Sequence, residues 1–218
     1  MATSLSETLE DFYDDIKDAV VGNQRKRNLV QFAEKYGYAF RKRISMDELD
    51  LAVLTLNLFK AKSGQRRKNI LSGYDNKTSS KILIFDNVIR KPKRRTTTCM
   101  LIESDLLNLP RFCLRPKRSF EKVAALFKTN QHSLAKYPEL QRALVLEAKH
   151  LDHMQRYVTD QLATWLLEHS GWIIEGIDDW LLVYQGNNMV DVAELRPFKM
   201  SVLELTEILL FDHSNDLV

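Results

Sequence analysis

KILIFDNVIRKPKRRTTTCMLIES, residues Lys81 to Ser104, is the stretch on which the fold turns. KILIFDNVI reads as a strand and TTTCMLIES as a second strand returning beside it. Between them lie Arg90, Lys91, Pro92, Lys93, Arg94 and Arg95. Pro92 has no N–H to give a ladder, which places this basic run in the turn. The stretch predicts a hairpin with five positive charges at its tip.

Further strands are expected on both sides. RRKNILSGY reads as a strand entering a turn at Gly73, and LPRFCLRPK as a short strand bracketed by Pro110 and Pro116. ALVLEA is another strand, and WIIEGIDDWLLVYQG a hairpin turning between Gly176 and Asp179. Helices surround this β-rich middle. Ser4 and Glu7 have capping-box spacing, and Leu5, Leu9, Phe12, Ile16, Ala19 and Val20 follow at helical intervals until Gly22 and Asn23. Arg25, Lys26 and Arg27 open a second helix with Leu29, Phe32, Ala33 and Tyr36 on one face and Gly37 as its cap. YAFRKRI is extended. A box at Ser45 to Glu48 introduces LDLAVLTLNLFKA, a third helix expected to be buried and to end at Gly64. SFEKVAALFKTNQ, capped by Ser119, reads as helical, HLDHMQRYVTDQLATWLLEHSG as the longest helix, and VAELRPFKMSVLELTEILL as a C-terminal helix with Pro197 near its first turn. Helices, then a β-meander, then mixed elements make an α+β fold with an antiparallel or mixed sheet. The expected organisation is an acidic amphipathic helix over residues 1–23, followed by one α+β domain over residues 24–218.

An apolar fraction of 44% with ten Phe, seven Tyr and three Trp supports a sizeable core and argues against disorder. No apolar run approaches the roughly 20 residues of a membrane-spanning helix. The acidic N-terminus lacks the layout of a secretory signal, so the expected location is cytoplasmic, with a position peripheral to a membrane as the variant. Cys99 and Cys113 are too few for a disulfide framework or a four-cysteine metal site, and their apolar neighbours mark them as buried thiols in strands.

The net charge of +3 is unevenly spread. Residues 1–18 hold one Lys and six acids, residues 60–122 seventeen basic and five acidic residues, and residues 123–218 seven basic and fourteen acidic residues. A basic middle between acidic ends points to an anionic partner, to pairing within the chain, or to self-association.

NILSG, LIFD, the basic hairpin, TTTCMLIES, LNLPRFCLRPK and GWIIEGIDDWLLVYQG, taken in order, resemble a family of uncharacterised bacterial proteins. In that family the soluble domain often follows N-terminal membrane helices. LPRFCLRPK and EGIDDWLLVY are the most specific pieces, and the likeness spans roughly residues 26–211. It implies one contiguous α+β domain and brings no catalytic residues to carry over. The acidic helix over residues 5–21 stands where membrane-anchored members have transmembrane segments.

Five groups of residues are candidates for chemistry or binding. Arg90, Lys91, Lys93, Arg94 and Arg95, with Arg66, Arg67 and Lys68, are the expected anion- or partner-binding patch. Leu9, Phe12 and Ile16 form the apolar face of the expected partner-docking helix. Glu147 and Lys149 in ALVLEAK match half of a metal-dependent nuclease motif, with Asp86 as the nearest candidate for the missing acid. His150, Asp152 and His153 open a helix but lack further metal ligands. Glu175, Asp178 and Asp179 are expected to be exposed at a tight turn. No glycine-rich phosphate cradle and no GxSxG elbow is present.

The expected function is therefore a non-enzymatic binding or adaptor protein without cofactor, catalytic residue or metal. It would dock a protein complex or an anionic membrane surface through the basic hairpin and the N-terminal helix. Nucleic-acid binding is the runner-up, although RKPKRR and GQRRK interleave no aromatic ring for base stacking. A metal-dependent nuclease comes third.

Overall fold

The computed structural model describes residues 23–44, 48–60, 65–89, 95–117, 136–148, 154, 157–186 and 188–214. The expected N-terminal helix, with Leu9, Phe12 and Ile16, lies outside the described residues. So do residues 90–94, the expected helix after Ser119, and His150, Asp152 and His153.

Among the described residues α1 covers residues 23–36 and includes Asn23. Then follow β1 (Ala39–Ile44), the single turn α2 (Leu51–Leu54), β2 (Arg66–Asp75), β3 (Ser80–Ile89), β4 (Arg95–Glu103) and β5 (Leu109–Pro116). The chain continues through α3 (Pro138–Ala143), β6 (Leu144–Ala148), α4 (Asp160–Glu168), β7 (Ile173–Asp178), β8 (Trp180–Tyr184) and α5 (Leu195–Ser214). The strands form one eight-stranded sheet in the order β1-β2-β3-β4-β8-β7-β5-β6. Every neighbouring pair is antiparallel. The α+β class expected from the sequence is the observed one, and the late hairpin β7–β8 is inserted between β4 and β5.

Alternation along the central strands sends side chains to two cores. Ile82 and Ile84, Met100 and Ile102, and Leu181 and Val183 face the helices, where they meet Leu29 and Phe32 of α1, Trp165 and Leu166 of α4, and Phe198 and Val202 of α5. Phe85, Cys99, Leu101 and Leu182 face the other way, onto Val53, Leu56, Leu58 and Phe59. Each such fully buried side chain contributes roughly 1.5–3 kcal/mol. Both faces of the sheet are therefore covered, the second by the short segment 51–60.

Several local expectations are corrected. The third helix does not run to Gly64. Asp50 caps α2 by accepting from the Ala52 N–H at 2.7 Å, and the helix stops after one turn, while Ser45 of the expected box lies outside the described residues. The N–H groups of Asn57 and Leu58 donate to the Glu175 carboxylate, which takes them out of any helical ladder. The helix expected from His150 is interrupted: Met154 and Tyr157 are helical, but Thr159 is extended and its hydroxyl accepts from the Leu162 N–H to cap α4, so α5, with 20 residues, is the longest helix among the described residues.

β2 runs through Gly73 to Asp75, and the turn occupies residues 76–79. Gly73 serves close approach instead, because a Cβ there would stand 2.7 Å from the Tyr38 ring. Gly176 likewise lies within β7, and the β7–β8 turn is at Asp178 and Asp179, with Asp178 at φ 50. Pro110 and Pro116 sit inside β5 instead of bracketing it, and a break in register between Leu109 and Phe112 accommodates Pro110.

Candidate functional site

Three polar sites emerge from this frame, and the first removes one of the sequence candidates. Asp86 extends from β3 toward the helical face and is only 3% exposed. Arg25 of α1 meets it as a fork, Nε to Oδ2 at 2.7 Å and Nη2 to Oδ1 at 2.8 Å. Arg25 also donates to the Val190 carbonyl at 2.7 Å and to the Thr98 hydroxyl at 2.9 Å. The Thr98 hydroxyl donates to Asp86 and accepts from the Val190 N–H, while the Asn69 amide donates to Asp86 at 2.9 Å. Every strong partner of this carboxylate belongs to the fold, which makes the cluster a clasp holding the start of α1 on the sheet.

Asp86 and Glu147 do not form a metal site. β3 and β6 are five strand positions apart in the sheet, a separation of roughly 24 Å at the usual spacing. Glu147 is on the opposite face and accepts from Arg115 at 2.9 Å. Among the described residues no group of three or more His, Cys, Asp or Glu is placed to hold a metal ion.

The second site corrects the expectation for Glu175. It lies within β7, 1% exposed, directly opposite Cys113 of β5, which itself stands opposite Glu147 of β6. Its carboxylate accepts from the Tyr184 hydroxyl at 2.9 Å, from the Leu58 N–H at 3.1 Å and from the Asn57 N–H. Burial pushes the Glu175 carboxyl above the ordinary carboxylate range, with these donors acting in the opposite direction. Burial also raises the Tyr184 hydroxyl, and the Cys113 thiol is pushed up to about 12 by burial and then by the Glu175 charge.

Beside this row opens a cleft of about 450 Å³ whose polar lining includes Lys60, Arg111, Cys113, Glu147 and Glu175. The Arg111 guanidinium is tied to the Thr55 carbonyl, and Lys60 donates to the Asn57 side chain at 2.9 Å. The donors to Glu175 come from Asn57 and Leu58 of segment 51–60 and from Tyr184 of β8, so the row forms a polar seam joining that segment to the sheet. Ile173 and Ile177 flank Glu175 on the same face of β7, and this I-x-E-x-I alternation is the signal, missed in the sequence reading, that would have marked Glu175 as inward-facing.

The third site is the basic end of the sheet. Arg95 pairs with Ile89 at the root of the β3–β4 hairpin, and Arg66 stands opposite Val88 one strand away. β1 adds Arg43 opposite Lys68 and Ile44 opposite Arg67. The strand registers thus bring Arg66, Lys68 and Arg95 to one end. Arg41, Lys42 and Arg43 join them, having been read in the sequence only as an extended segment. Arg41, Lys42, Arg43, Arg66 and Arg95 are exposed, and Arg41 pairs with Glu48 at 2.7 Å.

Arg67 does not belong to the solvent-facing patch. It is 5% exposed, packs 5.5 Å from the centre of the Phe59 ring, and has its pKa lowered by burial. Arg90, Lys91, Lys93 and Arg94 connect Ile89 to Arg95 outside the described residues. No described helix is long and apolar enough to cross a membrane.

No family model matches the chain, and no curated protein matches it. The fold is similar to that in the crystal structure of the mycobacterial trehalose monomycolate transport factor A, TtfA. The TM-score is 0.57, covering 85% of this chain and 94% of that chain, at 15% sequence identity. At that identity the likeness is one of fold.

Proposed function

We propose that the chain is a non-enzymatic docking module whose working surface is the basic end of the sheet, and that it engages an anionic partner there. The observation that carries this reading is the strand register, which gathers Arg41, Lys42, Arg43, Arg66 and Arg95 from three strands distant in sequence. Two acids close to them in the fold are already engaged: Asp86 is buried against Arg25, and Glu48 pairs with Arg41. The non-enzymatic part of the reading is supported by the two buried carboxylates, Asp86 and Glu175, whose hydrogen bonds serve the fold. TtfA is described as a transport factor, and an accessory role exercised by holding another molecule in place accords with that description.

The experiment is binding of the intact chain to anionic vesicles, neutral vesicles and polyglutamate across a salt series. A Lys42→Ser, Arg43→Ser, Arg66→Ser, Arg95→Ser variant runs beside it. Salt-sensitive binding to an anionic probe, lost in the variant, supports the proposal; binding unchanged by the variant overturns it. Nucleic acid is the second reading, because the same cations would neutralise phosphates. The β1 aromatic Phe40 packs on the core and offers no stacking platform. Binding to DNA or RNA that is tighter than to every other probe and lost in the same variant would put nucleic acid first.

A further inference from the structure

We infer that β1 is a strand-addition site for an extended, acidic segment of a protein partner, an inference that rests on the docking role proposed above and names the partner's chemistry. β1 is the first strand of the sheet and, among the described residues, pairs with β2 alone. An edge strand turns the N–H and C=O groups of every second residue outward, where an incoming strand can satisfy them. Ala39, Arg41, Lys42 and Arg43 are exposed along this edge. At the opposite edge, β6 is more covered, with Leu144 buried and Glu147 the exposed residue. The two edges therefore differ in both access and charge.

Charge selects the occupant. Successive side chains of a strand point to alternate faces, so the run Arg41-Lys42-Arg43 puts cations on both faces of the edge. An added strand with acids at neighbouring positions would find a cation on either face. A second copy of β1 would bring the same cations and be repelled, which is a known use of charge on edge strands. Specificity then comes from repelling the like edge as well as attracting the acidic one. Main-chain hydrogen bonds would supply the affinity and the cations the choice of partner.

The test uses the full chain and a synthetic peptide of about eight residues, a common strand length, in which adjacent pairs of Glu alternate with pairs of Val so that acids lie on both faces. Two further peptides carry N-methyl groups on one or the other set of alternate nitrogens. Strand addition predicts slower deuterium exchange over Ala39–Ile44 with no change over Leu144–Ala148. One N-methylated peptide should bind at least about tenfold more weakly than the parent, because it loses main-chain hydrogen bonds, while the other binds nearly as well. A Lys42→Glu, Arg43→Glu variant, whose substitutions fall on exposed positions, should keep its circular dichroism spectrum and lose the peptide.

Equal binding of all three peptides without protection of β1 overturns strand addition and leaves the docking surface standing. Failure of all three, with retained salt-sensitive binding to vesicles or oligonucleotides, has the same effect. If no anionic probe binds, both the inference and the proposed function fall.

Discussion

Replacing Arg25 by Ala removes a guanidinium that is 8% exposed and strands a carboxylate that is 3% exposed. Asp86 keeps its bonds from Asn69 and Thr98, but it loses both prongs of the arginine fork, and the Val190 carbonyl loses its donor. Breaking a buried pair from one side typically costs about 3–5 kcal/mol, because the remaining charge is left uncompensated. For a chain of this size 1 kcal/mol corresponds to about 2–4 °C, so Tm should fall by roughly 6–20 °C. Urea and thermal unfolding followed by circular dichroism measure this directly. Arg25→Met combined with Asp86→Leu leaves no stranded charge and should cost clearly less than the two single substitutions added together, the non-additivity that marks a coupled pair. A cost below about 1 kcal/mol for Arg25→Ala, the size of an exposed ion pair, would refute the clasp.

Glu175 gives a signed pH prediction. Its folded pKa is raised above 4.5, so the native state binds the proton more tightly than the unfolded chain does. Stability relative to Glu175→Gln should therefore fall as pH rises from 4.5 through the folded value, and urea midpoints across that range check the sign. An advantage of the wild type that grows with pH would refute it. Gly176→Ala would place a Cβ 2.3 Å from Phe112 Cε1 and 2.9 Å from its Cζ. Phe112 is buried, so overpacking should cost about 1–3 kcal/mol in the same unfolding assay, and a neutral result would mean that the ring has somewhere to go. Both thiols are buried and have raised pKa values, that of Cys113 about 12. A thiol reagent should therefore modify Cys99 and Cys113 only at the rate of unfolding, and a fast phase in native buffer would contradict their burial.

What the sequence determined by itself is what short-range periodicity encodes. The short apolar runs in KILIF and TTTCMLIE on either side of a proline-containing turn specified β3, β4 and their shared hairpin, and the apolar spacing of VLELTEILL specified α5. These elements follow from which faces must be buried, and that property is carried within a few turns or pleats of chain. The tertiary structure alone decided the strand order. Inserting β7–β8 between β4 and β5 brought Glu175 under Asn57, and the two N–H bonds it accepts ended a helix that LAVLTLNLF would otherwise continue. Nothing local in Arg25-Lys26-Arg27 distinguishes the arginine that lies buried against Asp86, sixty-one residues away, from its solvent-facing neighbours. The basic end has the same origin: RKR in β1, RRK in β2 and Arg95 in β4 are separate runs until antiparallel registers align their ends. Periodicity is a property of each segment, whereas register and strand order arise from competition among all segments for the same sheet.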